Sequence, residues 1–79
     1  MIRLPRISGK DAIRKLKNLG FEVFDQSGSH VYLHQWDAEE NNWSQRVTVP
    51  VHWNKTLKLG TLKNILKQAE IDVGQFLQG

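Results

Sequence analysis

Phe21-Glu22-Val23-Phe24-Asp25-Gln26-Ser27-Gly28-Ser29-His30-Val31-Tyr32-Leu33-His34-Gln35-Trp36 is the stretch on which the fold turns. Phe21 to Gln26 alternates and is rich in β-branched and aromatic residues, which suit a pleated, half-buried surface. Ser27-Gly28 is a turn signal. Ser29 to Trp36 alternates again, with Val31 and Leu33 on one face and His30, Tyr32, His34 and Trp36 on the other. Two such runs, joined so tightly, predict an antiparallel hairpin.

Moving outward, Asp37 to Ser44 is polar and reads as a loop, with Trp43 packing down near its end. Gln45 to Val51 reads as a third strand that puts Val47, Val49 and Val51 on one face. Pro50 has no backbone donor, so this strand lies at an edge or stops there. Upstream, Ser8-Gly9-Lys10-Asp11 predicts a helix start capped by Ser8, with Asp11 near the positive helix end. Ala12, Ile13, Leu16 and Leu19 follow at helical spacing, and Gly20 supplies a stop, so the first helix runs from about Gly9 to Leu19. A second helix begins near Gly60-Thr61, with Leu62, Ile65, Leu66 and Ala69 as its apolar stripe. Asp72-Val73-Gly74-Gln75 predicts a capped short helix that tucks Phe76 and Leu77 onto the core. The fold class is α+β: a three-stranded antiparallel sheet with two helices on one face, in the order α-β-β-β-α, plus a short C-terminal helix.

The chain has 79 residues and no cysteine. That is the length of one domain, spanning residues 1–79, with a thin core and no disulfide to staple it. No apolar run approaches the ~20 residues of a membrane helix, and Met1 to Arg6 lacks the apolar stretch of a signal peptide. The expectation is a cytoplasmic protein with no membrane contact. Lysines and arginines number 11 against 8 acids, and the isoelectric point is near 9.5. The excess is mild, but it is segregated. Lys55 to Lys67 carries four lysines and no acid, whereas Asp37, Glu39 and Glu40 cluster elsewhere.

The element order is that of the double-stranded-RNA-binding domain. Leu4-Pro5-Arg6-Ile7-Ser8-Gly9-Lys10 entering a helix resembles the HicA (YcfA-like) toxin family. So do Leu19-Gly20-Phe21 closing that helix and Gly28-Ser29-His30 at the hairpin turn. Val47-Thr48-Val49-Pro50-Val51-His52 resembles the family's third strand. Lys58-Leu59-Gly60-Thr61-Leu62 through Ile65-Leu66-Lys67-Gln68-Ala69 resembles its second helix. The likeness runs from about Leu4 to Leu77. Two positions depart from the family pattern: Trp53 replaces a glycine after the third-strand histidine, and Glu70 stands where glycine often ends the second helix. The resemblance implies a toxin of a type II toxin–antitoxin system. It would be a metal-independent endoribonuclease (mRNA interferase) that needs no cofactor, cleaves messenger RNA and is neutralised by a HicB-like antitoxin.

RNA carries its own nucleophile, the 2′-hydroxyl. A base that removes its proton and an acid that protonates the leaving 5′-oxygen suffice for cleavage, and histidine suits both roles near neutral pH. One such group contributes about 10²–10⁴-fold, so a nuclease built on one histidine is slow. By pattern alone His30 reads first as a half-exposed aromatic covering a sheet edge. The resemblance gives it the catalytic role. Gly28 would let backbone approach a phosphate, and Ser29 offers a hydroxyl and an amide hydrogen. His34 shares the strand face of His30, but four residues of strand span about 13 Å, too far for one zinc ion to join both. It reads as a surface or RNA-contacting residue. His52, ending the third strand, is a candidate second acid or base. Lys55, Lys58 and Lys63 are candidates for holding RNA phosphates near the start of the last long helix, against the plainer reading of a solvated helix face. Lys10, Arg14 and Lys17 on the first helix read as solvated, and Asp11 with Lys15 as a surface pair. Tyr32, Trp36 and Phe24 line the open sheet face, where base stacking, antitoxin docking and plain packing are all consistent with the pattern. The rival readings are a non-catalytic RNA-binding module of the same fold and a pure interaction protein; only the nuclease needs His30.

Overall fold

The computed structural model describes residues 3–52 and 55–79. Trp53, one of the two departures noted above, lies outside the described residues. Helix α1 spans Gly9–Asn18, and the Ser8 hydroxyl accepts a hydrogen bond from the Asp11 amide at 3.2 Å, as its cap position predicts. Leu19 forms the C-cap, and Gly20 follows with φ +98°, a conformation glycine tolerates and other residues do not. The hairpin is β1 (Glu22–Ser27) and β2 (His30–His34), antiparallel, with Ser27 opposite His30. The ribbon β3 (Trp36–Asp37) and β4 (Asn42–Trp43) follows, then β5 (Val47–Pro50), α2 (Leu59–Ala69) and α3 (Val73–Leu77). The main sheet has the order β1-β2-β5, antiparallel throughout.

Alternation decides which face is covered. Val31, Leu33, Val47 and Val49 are buried, while His30, Tyr32 and His34 are not. Ala12 and Leu16 of α1, and Leu62, Ile65 and Leu66 of α2, close over the same face, with Phe21, Leu57 and Phe76 completing the core. Burying one such side chain fully contributes about 1.5–3 kcal/mol, so a dozen of them carry a chain this small. The α+β architecture is that of the double-stranded-RNA-binding domain. The short helix α3 has the capping box expected of it: Asp72 accepts from the Gln75 amide, and Gln75 accepts from the Asp72 amide. Only Phe76 reaches the core; Leu77 stays 40% exposed, against the expectation that both would tuck in.

The segment expected to be a plain loop, Asp37 to Ser44, is instead a small ribbon. Strand β2 stops at His34 because Gln35 leaves the sheet. Its amide donates to the Ser44 hydroxyl (2.9 Å), and its carbonyl accepts from the Ser44 amide (2.7 Å). Its side chain donates to the Leu19 carbonyl (2.9 Å), tying the ribbon's base to the end of α1. At the tip, the Asp37 carboxylate accepts from the amides of Glu39 and Glu40, and Asn41 takes φ +52°. Both are turn devices that polar residues supply. Trp43 does pack, but onto His34 on the open face rather than into the core, and it remains 43% exposed.

Strand β5 shows why proline is accepted at its end. The Val51 amide donates to the Ser29 carbonyl at 2.6 Å, so His30 and Pro50 face each other as a pair without mutual backbone hydrogen bonds. The backbone of Pro50 therefore points away from β2, toward the outer edge, where a missing N–H costs no ladder bond. Thr48 sits in the same outward phase, and its amide donates to the Gln68 side chain of α2 at 3.0 Å. The Gln45 side chain donates to the Gln68 carbonyl at 2.7 Å. The outward carbonyl of Pro50 lies against Gly9, where an added Cβ would clash with that oxygen. The helices thus cover the edge that a further strand would otherwise pair with.

Candidate functional site

His30 is the first residue of β2 and is exposed. The two-residue turn Gly28-Ser29 delivers it there, and Gly28 sets that turn with φ +57°. A Cβ at Gly28 would meet no heavy atom within 4 Å beyond its chain neighbours. The positive φ favours glycine here, and the space that a side chain would fill is open. Ser29 is half-buried, and its carbonyl is the acceptor that fixes Val51.

Opposite His30, Pro50 forms one wall of a cleft of about 380 Å³ whose other walls include His52, Lys55, Thr56, Lys58 and Thr61. A pair without mutual hydrogen bonds separates Cα atoms by about 4.5 Å, so His30 stands at the margin of this cleft. The cleft is built by two crossings of the chain. Residues 56 and 57 pair with the segment before α1, through a Ser8–Thr56 bridge and a hydrogen bond from the Leu57 amide to the Ile7 carbonyl (2.8 Å). Leu57 is buried, which anchors the lysines on either side. Lys58 is the N-cap of α2 but makes no side-chain capping bond, so the first amides of the helix have no side-chain cap there. Such a helix end favours an anion. Among the described residues, no side-chain hydrogen bond or ion pair engages His30, His52, Lys55 or Lys58.

The sequence-predicted residues therefore divide. His52, Lys55 and Lys58 line one cleft, and His30 pairs across the strands with Pro50, which lines it too. Lys63 does not join them: it lines a different groove, with Lys67, along α2. Arg14, not Lys15, pairs with Asp11, at 3.2 Å and one turn away. Thr61, at the first turn of α2, lines the cleft and was missed. A hydroxyl next to a predicted helix start was the signal available.

Beyond His30, the open face holds an aromatic stack. The ring of His34 lies between Phe24 (4.2 Å between centroids, 20° between planes) and Trp43 (3.8 Å, 11°). Trp36 meets Trp43 edge-on at 5.2 Å, and Tyr32 tilts against Phe24 at 6.4 Å. The Arg46 guanidinium sits over Tyr32 at 4.7 Å. Phe24 lies on this face as alternation from Val23, opposite the buried Leu33, places it; the pairing of β1 and β2 then slips between Val23 and Asp25, a bulge that the alternating pattern did not announce.

An RNA-binding-domain-like α+β fold with histidines and lysines around a cleft at the sheet's edge defines a class of small basic domain. Within that class, a family described as the HicA toxin of bacterial toxin–antitoxin systems matches residues 9–71. The chain belongs to this family, the toxin side of a toxin–antitoxin pair. Among curated proteins, none matches the chain closely enough to count as a relative. No helix among the described residues is long and apolar enough to cross a membrane.

Proposed function

We propose that this toxin is a metal-independent endoribonuclease that cleaves messenger RNA at the cleft between β5 and α2, with His30 moving the proton. The supporting observation is one juxtaposition. An exposed histidine, fixed at a glycine turn, faces Pro50 across a strand pair, and Pro50 walls a cleft carrying His52, Lys55 and Lys58. RNA strung across the cleft would set a phosphate near the lysines and the start of α2. One imidazole takes the 2′-hydroxyl proton; the oxygen attacks the adjacent phosphorus; the bond to the 5′-oxygen breaks as that oxygen receives a proton. The products are a 2′,3′-cyclic phosphate and a 5′-hydroxyl end, so water and metal are not consumed in the step. His30 is assigned to one of the two proton transfers and His52 to the other. A HicB-like antitoxin would neutralise the protein by keeping RNA from this cleft.

The test is His30→Ala. Its cleavage rate on a messenger RNA should fall about 10²–10⁴-fold while its circular dichroism is unchanged, since the ring is exposed. Wild-type cleavage should persist in excess chelator. Equal cleavage by the two folded proteins would take His30 out of the mechanism; RNA binding by the wild type without cleavage would favour a non-catalytic RNA-binding module; loss of cleavage with chelator would overturn the metal-free step.

A further inference from the structure

A second concavity is larger than the cleft walled by Pro50. It is a groove of about 730 Å³ between the N-terminal segment, α2 and α3. Its floor is apolar, formed by Leu4, Leu59, Leu66, Ile71 and Val73. Leu59 is 40% exposed, although it stands at the start of an amphipathic helix whose other large apolar residues are covered. The rim is basic: Arg3, Arg6, Lys63 and Lys67. The one acid there, Asp72, is already spent capping α3. Among the described residues, the only ion pair is Arg14–Asp11, so none of the four rim cations has an acidic partner.

We infer that this groove docks an acidic amphipathic helix of a protein partner. The apolar floor runs with α2 from Leu59 to Lys67, about 12 Å at 1.5 Å per residue, or two turns of a docked helix. Lys63 and Lys67 lie one turn apart, about 6 Å, which matches glutamates spaced four residues apart on a partner helix. Apolar anchors on one face with acidic flanks are what a helix-in-groove contact against a basic rim selects. A nucleic-acid strand would satisfy the four cations but would leave the five aliphatic side chains of the floor without an apolar complement. The groove is distinct from the proposed cleavage cleft, and the two share no lining residue. A partner held here grips the toxin without occupying the place where RNA is cut.

The experiment titrates the isotope-labelled chain, carrying His30→Ala so that it accumulates in cells, with three probes. These are a synthetic helix with leucines on one face and glutamates along both flanks, the same peptide with lysines replacing the glutamates, and a single-stranded oligouridylate. The glutamate peptide should shift the amide signals of Leu59, Lys63 and Leu66, and the lysine peptide should not. In the double variant Lys63→Glu/Lys67→Glu, checked for fold by circular dichroism, affinity for the glutamate peptide should fall about tenfold or more. Three results would overturn the assignment: no peptide binding, equal binding of both peptides, or displacement of the glutamate peptide by oligouridylate from these same amides. None of these measurements reads RNA cleavage, so failure of the nuclease reading and failure of the groove reading are separate outcomes.

Discussion

At one end of the sheet, the start of β2 and the end of β5 meet His52, Lys55 and Lys58. At the other, β2 runs into a ribbon whose tip is acidic and whose Trp43 stacks onto the open face. The contrast extends along the chain. Five of its eight acids, and none of its eleven lysines and arginines, lie between Lys17 and Arg46. A mild net charge thus hides two opposite surfaces. A polyanion is drawn to the first and repelled by the second, and the aromatic stack, for all its exposed rings, stands on the acidic side. Overall charge said little about partners here; its placement on the fold says more.

The comparison can be broken most forcefully at Gly9, which belongs to the cleft end. A Cβ added there would run into the Pro50 carbonyl, a backbone atom that cannot step aside cheaply. Gly9→Ala should cost about 2–3 kcal/mol of stability, read as a lowered denaturant midpoint, because α1 must lift from β5. A neutral substitution would show that α1 and β5 are not clamped there. Trp43→Ala at the other end removes a stacked and an edge contact, each of about 0.5–1.5 kcal/mol. It should cost about 1–2 kcal/mol and leave the cleavage rate within about twofold. A rate loss as deep as that expected of His30→Ala would put the stack inside the active region and erase the distinction between the ends.

Lys55→Ala sharpens the comparison on the electrostatic side. If its ammonium holds a phosphate, the slope of log affinity for single-stranded RNA against log salt should flatten by about 0.7. Glu39→Ala, in the acidic turn, should leave that slope unchanged. The smallest effect is expected at Glu70, which ends α2 in the left-handed region (φ +56°, ψ 40°). The family often places glycine at this position, and Glu70→Gly should raise stability by about 0.5–1 kcal/mol, or several degrees of melting temperature. No gain would mean that the glutamate side chain offsets the backbone cost.

Much of the architecture was legible before any coordinates. Ser8, Gly20, Gly28 and the Asp72–Gln75 pair each act on backbone within three residues of themselves, so their consequences can be read along the chain. The ribbon could not be read in the same way. Its strands are two residues each, below the length at which alternation means anything, and they are held by stacks that reach from Trp43 back to His34 and by the Gln35–Ser44 bonds. The site was half legible. His30 was marked by its turn and by resemblance, and Lys55 and Lys58 by their position before α2. Lys63 was grouped with them because it is near in sequence, but a helix turns about 100° per residue, and five residues on from Lys58 it faces another groove.

The sequence by itself determined the order of the helices and of the three strands of the main sheet, the helix caps and the hairpin turn, and the place of His30 at the start of β2, because those depend on local backbone preference and on the two periods of apolar residues. Tertiary structure alone decided that Pro50 would stand opposite His30 and share a cleft with His52, that Lys63 would leave the cleft for a basic apolar groove, and that a polar loop would become a ribbon. Each of those depends on surfaces far apart in the chain meeting across a packed core, and no local pattern encodes which surfaces those are.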